Sequence, residues 1–292
     1  LDNTKLTDEG LAAIKNLTEL RELNLKGTAV TNQGLIHLAN MKHLEELDLS
    51  GTRITDAGIK TIGSLPNLRR LLLDNTAVTN DGLKFLATLK LDRISLAGTA
   101  ITDEGIITIA TFPGYTGNLS LRGTRVTDEG IARLSDAKNG SFHDLDLSDT
   151  AIGDASMKHL AKLTGIRVLK LDNTKVGDAG FKELAQLSPL RIVWMNSTRL
   201  TDQGMAHLPS WPLLRELKLG DTRITDKGMA YIAAMKNLWR LDIHNTPVTS
   251  TGAKLLAGKH RLRHIDLSLT RVTEEAASDL RQSLPHCQIE GP

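Results

Sequence analysis

The stretch Leu20-Arg21-Glu22-Leu23-Asn24-Leu25-Lys26-Gly27-Thr28-Ala29-Val30-Thr31-Asn32-Gln33-Gly34-Leu35-Ile36-His37-Leu38-Ala39-Asn40-Met41 changes its hydrophobic period halfway along. Around Leu23 and Leu25, apolar and polar residues alternate, as in a short strand with one buried face. From Leu35 through Leu38 to Met41 the apolar residues fall three apart, as on one stripe of a short helix. The same frame returns along the whole chain. Thr28 has equivalents at Thr4, Thr52, Thr76, Thr99, Thr124, Thr150, Thr174, Thr198, Thr222, Thr246 and Thr270, spaced by 24 residues except for single intervals of 23, 25 and 26. A register held over about 12 units is the signature of a repeat architecture.

Each unit reads as strand, turn, helix and return. The connections are short, so each strand must lie parallel to the next. Strands stack at ~4.8 Å while helices need ~8–10 Å between axes, and this mismatch bends such a stack with its strands inside. The expected fold is a right-handed α/β solenoid shaped as a horseshoe, one domain over residues 1–292, with parallel strands on the concave face and short helices on the convex face. Other columns fit the same frame. Asn32 and its equivalents Asp8, Asp56, Asn80, Asp103, Asp128, Asp154, Asp178, Asp202, Asp226 and Ser250 stand at the helix start and, with the threonine before most of them, are expected to cap the first helical amides. The glycines of the Gly34 column permit close packing there. Ala39, Ala87, Ala110, Ala161, Ala185, Ala233 and Ala257 let neighbouring helices approach. The Thr28 column is expected to form a hydrogen-bonded ladder between coils, its hydroxyls both donating and accepting.

Composition agrees. Aromatics are 3% of 292 residues, too few for the large anchors of an ordinary core of this size, but many small equivalent layers can be filled with aliphatics. A net charge of +2 with 24% charged residues describes a mixed surface and gives no push toward nucleic acid or membrane. Cys287 is the single cysteine, which excludes an internal disulfide. No apolar run approaches the ~18–20 residues that span a bilayer. The chain starts mid-repeat at Leu1-Asp2-Asn3-Thr4, which reads as an excised fragment, while Leu284-Pro285-His286-Cys287-Gln288-Ile289 repeats the strand spacing once more, so residues 274–292 read as a C-terminal cap. The expected state is a monomer, and with no signal segment in view the cytoplasm is the favoured compartment.

The pattern Leu20-x-x-Leu23-x-Leu25-x-x-Thr28-x-Val30 resembles the conserved segment of leucine-rich repeats, with Thr where Asn or Cys is usual. The continuation Thr55-Asp56-x-Gly58-Ile59-x-x-Ile62 is similar to the helical half of the cysteine-containing repeats in F-box substrate receptors and to the 24-residue repeats of bacterial leucine-rich-repeat proteins. The resemblance implies a binding scaffold whose partner is a protein or peptide. Alternative roles are the recognition part of an F-box-type ubiquitin ligase or bacterial effector, and glycan or ligand recognition at a cell surface. No F-box-like segment is visible.

A partner is expected on the exposed strand positions. The Glu22 column runs through Asp144, Val168, Ile192 and Glu216; the Asn24 column through Asp146, Lys170, Trp194 and Lys218; the Lys26 column through Asp172, Asn196 and Gly220. Val168, Ile192 and Trp194 form an apolar group with an aromatic at its centre, the composition of an interface hot spot. Asp144, Asp146, Lys170, Asp172 and Asn196 are its expected polar rim. Charges along the columns, such as Glu46 with Arg70, Glu216 with Arg240 and Lys218 with Asp242, are placed to pair across strands. A second stripe, Lys5, Arg53, Arg125, Lys175, Arg199, Arg223 and Arg271, follows the Thr28 column. The irregular coils carry Phe112-Pro113-Gly114-Tyr115-Thr116-Gly117 and Lys138-Asn139-Gly140-Ser141-Phe142, extra residues that read as tolerated insertions.

Catalysis is not expected. Asp and Thr recur once per coil, whereas a catalytic constellation breaks symmetry at one place. Phosphate-binding glycine loops are absent, and no cofactor is implied. His260 with His264, and His244 with His264, do not make a zinc spacing, so no metal is expected either.

Overall fold

The structure is a computed structural model that describes residues 1–113, 115, 117–136, 141–208 and 211–292. These residues form two compact units, Leu1–Asp146 and Leu147–Pro292. In the first unit the strands are β1 (Glu22–Asn24), β2 (Glu46–Asp48), β3 (Arg70–Leu72), β4 (Arg93–Ser95), β5 (Asn118–Ser120) and β6 (Asp144–Asp146). Each pairs in parallel with the next, and the register Glu22↔Glu46↔Arg70↔Arg93↔Asn118↔Asp144 is the column expected from the repeat. The second unit holds β7 (Val168–Lys170), β8 (Ile192–Trp194), β9 (Glu216–Lys218), β10 (Arg240–Asp242), β11 (His264–Asp266) and β12 (Gln288–Glu290). Its register is Val168↔Ile192↔Glu216↔Arg240↔His264↔Gln288, again parallel throughout. β12 is the extra strand expected at the end of the repeat pattern, and the 10-residue helix Glu274–Ser283 precedes it.

Both halves of a coil feed the core. Leu47 and Leu49 from the strand side and Ile59 and Ile62 from the helix Asp56–Ile62 are all fully buried. The helices are short, and the second coil has a 3₁₀ turn over Gly34–Leu38 instead of an α-helix. Three residues per turn suit the spacing of Leu35, Leu38 and Met41 better than 3.6 does. No helix among the described residues is long and apolar enough to cross a membrane.

The polar columns divide their work differently from the sequence expectation. The Thr28 column does not link coils. Its hydroxyls donate to the carbonyl three residues back in the same coil, as Thr28 to Leu25 at 2.7 Å and Thr222 to Leu219 at 2.6 Å. That bond closes the turn leaving the strand, whose preceding residue is left-handed: Gly27 at φ 66°, Asn75 at φ 54°. Such a hydroxyl is satisfied locally, and Thr28 is only 5% exposed.

Coils are joined instead by the Asp column. Asp202 Oδ1 accepts the Thr225 N–H at 2.8 Å and the Gly228 N–H at 2.9 Å, while its Oδ2 accepts the Thr225 hydroxyl at 2.6 Å. Asp8, Asp56, Asp103, Asp178 and Asp226 hold the next coil's threonine in the same way. Asn32 and Asn80 do it as amides, with Nδ2 donating to the hydroxyl. Where a helix has a side-chain cap, it is the threonine itself: Thr225 accepts from the Lys227 N–H at 3.3 Å, and Thr79, Thr102, Thr127, Thr201 and Thr249 do the same in their coils. So the carboxylate braces the cap of the following coil rather than capping its own helix. The glycine column makes room for it, since a Cβ on Gly34 would collide with the Asp8 carboxylate.

Two rungs lack the threonine hydroxyl, with Gly153 and Gly177 in its place. At Gly177 the threonine is missing, and Asp154 Oδ1 receives only the backbone N–H, at 2.6 Å. Gly177 is extended (φ −131°), and a Cβ there meets nothing closer than 3.5 Å. Gly177→Thr should therefore add a cap and a second bond to Asp154, raising stability by about 1 kcal/mol. The midpoint of urea unfolding measures it, and an unchanged or lower midpoint would refute the rung.

The aromatic residues of the irregular coils are core. Phe112, Tyr115 and Phe142 are each 1% exposed, with ring centroids 6.4 Å apart for Phe112–Tyr115 and 5.6 Å for Tyr115–Phe142. The Tyr115 hydroxyl donates to the Asn118 carbonyl at 2.6 Å, and burial drives its pKa up. Gly114, Thr116, Lys138, Asn139 and Gly140 lie outside the described residues.

Candidate functional site

β8 presents Ile192 and Trp194 on one face and buries Val193 between them, while β7 presents Val168 and Lys170 beside them. Val168, Ile192 and Trp194 thus meet in the second unit, each half-buried. Trp194 is not the bare aromatic that the sequence suggested. The register Lys170↔Trp194↔Lys218 sets a lysine on either side, and each ammonium nitrogen lies 3.9 Å from the ring centroid. The indole N–H donates to Glu216 Oε1 at 2.8 Å. Glu216 and Lys218, expected to pair with Arg240 and Asp242, turn to Trp194 instead, because a ring face and an indole N–H compete well for partly solvated charges. Glu46 and Arg70 do pair as expected, at 2.9 Å.

The expected rim divides. Asp172 Oδ1 accepts the Asn196 N–H at 2.8 Å, and Asn196 Oδ1 accepts the Gly220 N–H at 2.7 Å, so both residues brace the stack of coils. Asp144 and Asp146 lie on β6 in the first unit, opposite Asn118 and Ser120 of β5. Lys170 stays at the site through its place over the ring.

Next to Ile192 and Glu216 opens a groove of about 700 Å³ that sequence reading missed. It is lined by Arg191, Arg215, Arg261 and Arg263, with Leu213 and Trp239 supplying apolar surface. Trp239 is 50% exposed and Leu213 47%. Arg191, Arg215, Trp239 and Arg263 share one column, the position just before each strand. Backbone bonds stack them in order: the Arg215 N–H on the Arg191 carbonyl, Trp239 on Arg215 and Arg263 on Trp239, at 2.7–2.8 Å. The columns expected to be exposed begin at Glu22, and this column lies one residue before them. Its signal is nonetheless visible as Arg, Arg, Arg, Trp, Arg at 24-residue intervals from Arg167.

A second cluster is built around His244, whose ring lies where any Cβ on Gly220 would be. Nδ1 is 2.7 Å from Asp242 Oδ1, and Nε2 is 3.1 Å from Asp221 Oδ2. Asp221 is itself held by Asn245 Nδ2 at 2.6 Å. With Asp266, the pair Asp242 and His244 brings three possible metal-ligating atoms within 4.8 Å of one another. Histidine spacing does not reveal this group, because its other members are aspartates. Burial opposes charge on His244, but hydrogen bonds and attraction from Asp242 and Asp221 outweigh it and raise its pKa above the ordinary value of 6.5. The Asn245 hydrogen bond, against the opposing effect of burial and with help from His244, lowers the Asp221 pKa. A raised histidine pKa contributes stability in full below about 6.5, lost as pH rises through the folded-state value. Unfolding midpoints should therefore fall from pH 6 upward more steeply in the native chain than in His244→Gln. Identical pH slopes would show that the cluster is not linked to folding.

The basic stripe flanks the sheet. Arg53, Arg125, Lys175, Arg199, Arg223 and Arg271 each make a single parallel backbone bridge with the preceding coil, a second minor ladder beside the sheet. Burial pushes the Cys287 thiol up to about 11, away from the reactive thiolate.

A leucine-rich-repeat family model matches residues 40–63 and 212–233. No curated protein matches the sequence. Among solved structures, an internalin from Listeria monocytogenes is similar over 98% of this chain and 88% of its own, with a TM-score of 0.68 and 21% identity. Each matched segment covers one strand and the helix that follows it, Glu46–Asp48 with Asp56–Ile62 and Glu216–Lys218 with most of Asp226–Ala234, and the structural likeness extends the same fold to nearly all of the chain.

Proposed function

Because the chain carries the leucine-rich-repeat fold, we propose that it is a protein-binding module that takes a segment of a partner protein on the exposed sheet face of its second unit. The observation that carries this reading is the group formed by Val168, Ile192 and Trp194 with Lys170 and Lys218. It breaks the coil-to-coil symmetry and gathers aliphatic, aromatic and cationic surface at one place. Trp194 is already fixed by Glu216 and the two lysines, so little side-chain entropy is lost when a partner covers it. Fixed aromatic side chains are common anchors at interfaces. Binding through such a face needs no catalytic group, cofactor or metal.

The test is quantitative. A partner recovered by affinity capture and identified should bind Trp194→Ala at least tenfold more weakly than the native chain, a loss of about 1.4 kcal/mol. Circular dichroism should show an unchanged fold, because the residue is half-exposed. A partner that binds both proteins equally would remove this face as its docking surface.

A further inference from the structure

We infer that the groove beside the sheet is a binding site for an extended acidic peptide, specifically one with an apolar side chain between carboxylates. The inference rests on the protein-binding reading above and adds the chemistry of the segment bound. Four arginines line the groove, against one carboxylate, Glu216, which is engaged with the Trp194 indole. Arg261 donates to Asn237 Oδ1 at 2.6 Å, and Arg263 to the His260 carbonyl at 2.5 Å. Among the described residues no carboxylate pairs with Arg191 or Arg215. Uncompensated guanidinium groups beside an apolar floor suit a carboxylate, which they can hold through two parallel bonds.

The same column in the first unit sharpens the point. There Arg21 is paired with Glu45 at 2.6 Å, and Arg69 stands 3.9 Å from Asp92. Each arginine has an acid on the following coil. From Arg167 onward the column reads Arg, Arg, Arg, Trp, Arg, with no acid in it. A chain of net charge +2 concentrates unpaired positive charge at this place.

Geometry sets the ligand's direction and length. Column neighbours are one strand apart, ~4.8 Å, so Arg191 and Arg263 are separated by about 14 Å along the stack. An extended peptide rises ~3.3 Å per residue and covers that span in four to five residues. Such a segment crosses the strands with its acidic ends at Arg191–Arg215 and at Arg261–Arg263. Its central side chain falls against Trp239 and Leu213. The groove volume of about 700 Å³ lies within the range of sites that enclose small ligands. A nucleic acid fits less well. It needs a longer basic track and several stacking rings, and the groove offers one exposed tryptophan.

The experiment is a fluorescence anisotropy titration with two labelled synthetic peptides. One has a phenylalanine between two pairs of glutamates; the other has glutamines in their place. The glutamate peptide should bind, weaken as salt is added, and exceed the glutamine peptide at least tenfold. The double variant Arg191→Glu, Arg215→Glu should lose at least tenfold, and Trp239→Ala should also weaken binding. The matched reversal Arg21→Glu, Arg69→Glu in the first unit changes net charge equally and should leave binding unaltered. Equal affinity for the two peptides, no binding of either, or equal losses in both double variants would overturn the proposal. So would tighter binding of a single-stranded oligonucleotide of matching length. A partner that depends on Trp194 while the acidic peptide fails would sink the groove alone; peptide binding without any Trp194-dependent partner would sink only the sheet-face reading.

Discussion

Trp211→Ala is expected to destabilise the second unit by about 3–5 kcal/mol, the range for deleting a fully buried large aromatic. Trp211 has no exposed surface. Its ring meets Phe181 edge-on with centroids 4.8 Å apart, and its indole N–H donates to the Leu184 carbonyl at 3.1 Å. Alanine would leave a cavity against the neighbouring coil and remove that bond. Leu163 and Leu187 hold the same place in earlier coils, so Trp211→Leu restores the usual residue and should recover part of the loss. Urea unfolding followed by circular dichroism measures this without relying on tryptophan emission. Each coil of a repeat stack leans mainly on its neighbours, so the transition should also broaden. A change below about 1 kcal/mol would mean that the coils around Trp211 can close over the space.

The second large effect belongs to the carboxylate ladder. Asp202→Ala strands three donors, the Thr225 N–H, the Thr225 hydroxyl and the Gly228 N–H. These sites are partly buried, so the combined loss is set at about 2–4 kcal/mol. Asp202→Asn should cost less than 1 kcal/mol, because Asn32 and Asn80 already serve as rungs with the hydroxyl bond reversed. Unfolding midpoints of the two variants separate geometry from charge. Equal damage from Asn and Ala would show that the ladder needs the negative charge; no damage from either would show that water replaces it.

The periodicity was enough to place residues in columns, and the columns were right. Val168, Ile192 and Glu216 are aligned in the structure as 24-residue counting aligned them. A repeat makes register legible because an error of one residue would turn every buried leucine outward. What periodicity does not contain is direction. Asp56 stands at a helix start, and capping its own helix was the natural reading. Its side chain instead crosses to Thr79 of the next coil. Trp194 was found for the same reason as the columns, but its lysine sandwich depends on rotamers. The groove was not expected because its column lies one residue before the strands, outside the alternation that marks exposed positions, although Arg191, Arg215, Trp239 and Arg263 recur at the same 24-residue interval.

The ladder has one further consequence. In every carboxylate rung the acceptors sit on one coil and the donors on the coil that follows, so these junctions offer the same pair of half-connections. Removing residues 178–201 would join Gly177 to Asp202, and each remaining carboxylate would still face its proper donor: Asp154 the Gly177 amide and Asp202 the Thr225 cap. Whole periods are therefore interchangeable parts. A gene encoding such a chain can gain or lose 24 codons in frame without inventing a new junction, and the reach of the protein becomes a quantity that recombination can adjust one step at a time.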